Sequence, residues 1–279
     1  MSVPSAETRR IEAGDLGLVV LEAGSGGRPL LVLHGFCGAK ENFAETMGPL
    51  AERGWHVVVP DQRGHGETGE PAGDLEYSFD LYRDDALALA DALGWDRFVL
   101  LGHSMGGMAA QFVALARPER LAALVLADTS HRNVPIDPEL AAAAREVVST
   151  GGMADLVKAM SEMEDPLATE AHQRLLSERP GYREMLDSQN LAASPQMWMS
   201  MSEQMFSSRD RLPELRQLSV PTLVVVGEQD RPFLDPSRLM AAEIPRARLA
   251  VIGGAGHSPQ LEAPEAWFEV LLDFLGKVT

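Results

Sequence analysis

The segment LLGHSMGGMA, residues 100–109, sets Ser104 between Gly102 and Gly106 where an apolar strand pattern turns into a helical one. Gly-x-Ser-x-Gly is a weak signal by itself: with 25 glycines in the chain, a chance match is expected in roughly one such sequence in ten. A serine hydroxyl is also a poor nucleophile near neutral pH unless an imidazole takes its proton and a carboxylate orients that imidazole. Two further residues occupy equivalent places. Asp230 follows TLVVVGEQ and His257 follows ARLAVIGGAG, as Ser104 follows RFVLLGH. In a parallel sheet, residues just past the carboxyl ends of the strands converge on one crevice. The three side chains then form a nucleophile, a general base and an orienting acid, the set that acyl transfer requires. Asp128, which ends LAALVLAD, is the competing carboxylate.

This placement depends on the elements around it. Seven short Val- and Leu-rich runs, bounded by Gly, Pro or Asp, recur along the chain: GLVVLEA, PLLVLHG, HVVVPD, RFVLLGH, LAALVLAD, TLVVVGEQD and ARLAVIGG. Runs that are apolar almost throughout suit strands buried on both faces. They alternate with helical patterns over residues 40–53, 78–93, 105–117, 236–244 and 263–275. The alternation predicts an α/β fold, a mostly parallel sheet covered by helices on both sides.

Residues 131–210 break the rhythm. They hold no strand-like run, but they include the helical patterns PELAAAAREVV and MADLVKAMSEM, punctuated by Pro166, Pro180 and Pro195. The expectation is a helical insertion between a core formed by residues 1–130 and 211–279. Eight of the 13 methionines lie in it: Met153, Met160, Met163, Met185, Met197, Met199, Met201 and Met205. Methionine fills irregular apolar surfaces, so the cluster is expected either to line an adaptable pocket or to pack small helices.

Composition narrows the function. A net charge of −17, from 24 basic and 41 acidic residues, gives no basic footprint for nucleic acid or an anionic membrane. The start MSVPSAETRRIEAGD is polar, and no run approaches eighteen uncharged apolar residues, so a soluble cytoplasmic protein is expected. Cys37 is the only cysteine, which leaves no partner for an intramolecular disulfide and no thiolate set for zinc. It is read as a small buried hydrophobe. The remaining histidines are poorer bases. His103 is expected to point away along the turn, His34 and His65 to sit in structural loops, and His56, His131 and His172 to be surface or cap residues.

The chain resembles the α/β-hydrolase fold superfamily, in the serine-nucleophile branch with a helical cap after the sixth strand. The resemblance spans essentially the whole chain and rests on LHGFCG, PDQRGHGET, GHSMGG, GEQDRP and GAGHSPQLEAPE, each following a strand. It implies an eight-stranded sheet and the chain order Ser104, Asp230, His257, which favours Asp230 over Asp128 as the acid. It also implies an oxyanion hole made by the backbone N–H groups of Phe36 and Met105. Asp61 and Arg63 are expected to brace a loop.

A serine at this turn separates the chain from dehalogenases and epoxide hydrolases that resemble it but carry aspartate there. The expected substrate is a small to medium, mostly apolar carboxylic ester or lactone, contacted by Trp198 and Met201 in the cap. No cofactor or metal is expected, and the oligomeric state is left open. The alternatives are a C–C bond hydrolase, less favoured because HGFCGA is not Gly-rich, a cofactor-free perhydrolase, and a small-molecule receptor on the same fold.

Overall fold

A computed structural model describes residues 6–69, 77–162 and 169–278, so Met163 and Pro166 lie outside the described residues. In chain order the elements are β1 (Glu7–Ala13), β2 (Leu16–Ala23), β3 (Arg28–Leu33), α1 (Ala44–Ala51), β4 (Trp55–Pro60), α2 (Phe79–Ala92), β5 (Phe98–His103), α3 (Met105–Ala116) and β6 (Leu121–Ala127). There follow α4 (Pro138–Ser161), α5 (Glu170–Glu178), α6 (Tyr182–Leu191), α7 (Pro195–Ser207), α8 (Leu212–Leu215), β7 (Thr222–Gly227), α9 (Arg231–Glu243), β8 (Ala247–Ile252), α10 (Pro259–Glu262) and α11 (Pro264–Leu275). The strands form one sheet in the order β1-β2-β4-β3-β5-β6-β7-β8.

The sheet is parallel from β4 to β8, and β2 alone runs against the rest, pairing antiparallel with both β1 and β4. The seven apolar runs are β2 to β8. The remaining strand, β1, reads ETRRIEA and buries only Ile11 and Ala13. An edge strand that pairs on one side needs little apolar surface, which is why no hydrophobic run marks it.

Alternate residues of the central strands feed two cores, as a period of two requires. On one face Leu31, Leu33, Leu100, Leu124, Leu126 and Val224 pack against Tyr82 and Leu89 of α2 and Met108 and Val113 of α3. On the other, Leu30, Val32, Val99, Leu101, Val125 and Val225 meet Met47 and Leu50 of α1 and Trp267, Leu271 and Phe274 of α11.

Between β6 and β7 the described residues form only helices, α4 to α8. Side-chain caps start three of them in the sense expected for Ser, Thr and Asp. Asp137 accepts from Glu139 N, Thr169 from His172 N and Ser194 from Met197 N, while Ser78 does the same for α2. α4 is broken at Gly152, which adopts φ +70, a conformation open to glycine. Among the described residues, no helix is long and apolar enough to cross a membrane.

Candidate active site

The three residues singled out by position meet at the carboxyl edge of the sheet. Ser104 joins β5 directly to α3, Asp230 lies between β7 and α9, and His257 lies in the turn between β8 and α10. His257 Nε2 is 2.9 Å from Ser104 Oγ, and His257 Nδ1 is 2.9 Å from Asp230 Oδ2. A carboxylate only accepts, so Nδ1 carries the hydrogen and Nε2 presents its lone pair to the serine hydroxyl. The resulting relay runs from a partly exposed serine to a buried carboxylate.

The backbone at the serine is strained, with φ +53 and ψ −119. Its tight approach explains the flanking glycines. A Cβ on Gly102 would stand 2.6 Å from the carbonyl carbon of Gly106. One on Gly106 would stand 2.5 Å from the carbonyl oxygen of His34, and closer still to that of Leu33. We expect Gly106→Ala to destabilise the fold by about 3 kcal/mol or more, since backbone atoms must give way; denaturant unfolding beside the parent protein measures this. A loss below about 0.5 kcal/mol would mean that the turn has slack that its geometry does not display.

Among the described residues, only Cys37, Ser104 and Asp128 combine a side chain with positive φ, at +54, +53 and +47. All three flank this site, and such strain persists only where the surroundings hold it. Cys37 belongs to the turn after β3. There Gly38 N donates to Gly35 O and Cys37 N donates to His65 Nε2, while Phe36 N has no acceptor among the described residues. Met105 N opens α3 and, as a first-turn amide, has no acceptor within the helix. Gly35 packs on the serine, so a Cβ there would lie 3.2 Å from Ser104 Cβ. The turn that carries Phe36 thus approaches the serine through Gly35, and Met105 follows the serine directly in the chain.

Neutral histidines hold this scaffold. His34 Nε2 accepts from Gln62 N (3.1 Å) and its Nδ1 donates to Gly35 O (2.8 Å). His65 Nδ1 donates to Arg63 O (3.0 Å). Burial pushes the His34 imidazole down to about 4 and that of His65 down to about 3, so both stay uncharged near neutral pH. Asp61 accepts from Lys40 N, Lys40 Nζ and Glu67 N, and Arg63 forms a two-pronged pair with Asp85. These contacts brace loops, as Asp61 and Arg63 were expected to do. Burial raises the Cys37 thiol to about 12, which leaves it without thiolate character.

Two supports of His257 carry no signal in the sequence pattern. His103 Nε2 donates to the His257 carbonyl oxygen at 2.6 Å, and burial lowers the His103 imidazole to about 3. Glu262 Oε2 accepts from Gly256 N and Ser258 N, gripping the turn on both sides of His257. Phe233 lies against the imidazole, with ring centroids 4.7 Å apart.

One histidine departs from the expected surface or cap setting, and a second lies where the cap was expected to begin but is buried. His56 is buried in β4 and bonded to Glu22 (2.7 Å), where the adjacent strand β2 supplies an inward carboxylate. His131 is buried at the base of the helical segment against Asp210 (2.7 Å), because the chain re-enters the core there. Trp198 is 8% exposed and its ring stands 6.0 Å from that of Phe36. Met201 is 0% exposed and belongs to the core cluster shared with α2 and α3, as do Met153, Met197 and Met205, whereas Met160 is 46% exposed. Most of the described methionines are thus packed into that core.

Asp128, Asp230 and His257 have oxygen and nitrogen atoms within 4.8 Å of one another, a spacing that a cation could use. Both imidazole nitrogens are already engaged, however, by Asp230 and Ser104.

With this geometry, residues 28–264 match the model of the α/β hydrolase fold family, and the chain belongs to that family of hydrolase enzymes. It is 30% identical to a thermophilic esterase from Thermogutta terrifontis, covering 98% of this chain and 99% of that one with a TM-score of 0.82. It is 31% identical over 277 residues to 2-hydroxymuconate semialdehyde hydrolase of Pseudomonas sp. strain CF600, covering 96% of this chain and 94% of that protein. Est816, an N-acyl homoserine lactone degrading enzyme, is 27% identical with a TM-score of 0.77, covering 95% and 100% of the two chains.

Proposed function

We propose that this enzyme hydrolyses a small to medium, mostly apolar carboxylic ester or lactone through an acyl-enzyme on Ser104. The observation that carries this reading is the continuous relay from Ser104 Oγ through His257 to Asp230. Ser104 Oγ attacks the carbonyl carbon while His257 Nε2 takes its proton, and Asp230 stabilises the imidazolium that results. The carbonyl oxygen becomes an oxyanion held by Phe36 N–H and Met105 N–H, an interaction in which one such donor is typically worth ~3 kcal/mol. His257 then protonates the departing alkoxide as the C–O bond breaks. A water deprotonated by the same nitrogen attacks the acyl-enzyme and releases the acid and the serine.

The likeness to an esterase and to a lactone-degrading enzyme supports this substrate class. A second reading, hydrolysis of a C–C bond by the same relay, is favoured by the likeness to 2-hydroxymuconate semialdehyde hydrolase. Turnover of purified protein on esters of graded chain length, on lactones and on a vinylogous C–C substrate separates the two. Ester or lactone turnover at least tenfold above C–C turnover supports the first reading, and the reverse order replaces it with the second.

In this reading residues 131–210 form the cap that sets the substrate. Trp198 lies beside Phe36 and is its best-placed contact, whereas Met201 acts by shaping the packed helix α7 behind it. We expect Trp198→Ala to move the preferred acyl length by two or more carbons while Ser104 is phosphonylated at a rate within about threefold of the parent. Met201→Ala should lower stability by about 2–4 kcal/mol as well as broaden the profile. An unchanged chain-length profile in both variants would confine these residues to packing.

A further inference from the structure

Asp128 follows β6 in a place that no step above uses. Its side chain is 0% exposed, and it holds a left-handed backbone, φ +47, that a residue with a side chain adopts only when the surroundings hold it there. Oδ1 accepts from Gly227 N on β7 (2.8 Å). Oδ2 receives no hydrogen bond among the described residues, although the Asp230 carboxyl is its immediate neighbour. The ionisable groups facing it are Asp230 at the start of α9, His257 after β8 and Glu262 on α10. Two carboxylates side by side in a dry site, with one imidazole between them and the serine, would leave an uncompensated negative charge.

We propose that Asp128 is a neutral carboxylic acid whose Oδ2–H donates to Asp230, so that two carboxyl groups with a single negative charge orient His257. The inference rests on the reading of Ser104, His257 and Asp230 as the reacting set, and it makes Asp128 a positioning residue acting through Asp230. Burial first, and the Asp230 charge second, push the Asp128 carboxyl well above its ordinary value. A donor on Asp230 fixes that carboxylate and spreads its charge, which tempers how strongly it holds the proton on His257.

Asparagine tests this, because it keeps both contacts: its oxygen accepts from Gly227 N and its NH₂ donates to Asp230. Alanine keeps neither. Without the donor, Asp230 holds the imidazolium more tightly, so the acidic limb of kcat/KM in Asp128→Ala should move up by about 0.7 pH unit. kcat should fall roughly tenfold. Asp128→Asn should bring the limb back to the parent position and recover most of the loss.

A second measurement needs no substrate, so its outcome is independent of whether Ser104 is the nucleophile. An acid that is neutral when folded but ionised when unfolded takes up a proton on folding. The parent's folding constant then weakens about tenfold per pH unit above the unfolded carboxyl range, relative to a variant with no proton to lose. Denaturant unfolding of the parent and Asp128→Asn from pH 5 to 7 should show the ratio of folding constants rising in favour of Asn by roughly that factor per unit. A ratio that stays flat or falls overturns the proposal, since Asp128 is then ionised in the folded protein. So does an acidic limb displaced downward by a unit or more in Asp128→Asn, the mark of a lost negative charge. A limb that stays at the parent position in Asp128→Ala removes the positioning role.

Discussion

Ser104→Ala is expected to lose about 10⁶-fold in kcat on the best ester or lactone found, while unfolding at the parent's midpoint within a few degrees. The size follows from how the relay works as a unit. Without Oγ, His257 Nε2 has no proton to accept, the covalent route closes, and only binding and the two backbone amides remain to assist direct attack by water. The fold should tolerate the change because Ser104 holds its turn through backbone contacts. Its N donates to Ala127 O, and its O accepts from Met108 N and Thr129 Oγ1. The left-handed backbone is there with or without the hydroxyl. A fluorophosphonate should label the parent on the peptide containing GHSMGG and leave Ser104→Ala unlabelled. An adduct on another serine, or a variant with more than about a tenth of parental turnover, would remove Ser104 from the reaction.

The residues that meet at this site were legible in the sequence because each lies at a strand end, and a strand end in a parallel sheet fixes a position in space. Ser104, Asp230 and His257 follow long apolar runs, so their convergence required only that the runs be strands. The edge strand β1 escaped the same logic: ETRRIEA carries the charges of a strand with one neighbour and an exposed face. His103 was expected to point away along the turn, yet its ring lies 5.2 Å from that of His257 and its grip on the His257 carbonyl depends on a loop 154 residues on, which no local pattern reports. The same holds for Glu262 and the two amides it binds. Asp128 was legible only as the carboxylate competing for the histidine. Its partner is instead the Gly227 amide on β7, beside Asp230, because β6 and β7 are neighbours whose ends lie side by side. Met201 was read as a substrate contact from the clustering of methionines. Sequence spacing places it on a helix but leaves open whether the buried side of that helix faces a ligand or the core.

Asp230→Asn is the substitution that distinguishes chemistry from support among the carboxylates, and it should lower kcat by on the order of 10⁴. The side chain accepts from His257 Nδ1 at 2.9 Å and so keeps the hydrogen on that nitrogen. An amide in its place can turn its NH₂ toward the ring, which favours the tautomer with hydrogen on Nε2. The nitrogen facing Ser104 Oγ would then be a donor and could not take the serine's proton. The charge that stabilises the imidazolium is lost at the same time. The helix that follows should be little affected, since the Asp230 side chain makes no capping bond to α9 and its backbone N donates to Gly227 O. Thermal unfolding of Asp230→Asn and Asp128→Asn beside their turnover keeps lost chemistry apart from lost protein. Asp128→Asn, which retains a donor for Asp230 and an acceptor for Gly227 N, should cost at least a hundredfold less in kcat than Asp230→Asn. A folded Asp128→Asn without turnover, beside an active Asp230→Asn, would instead make Asp128 the acid that serves His257.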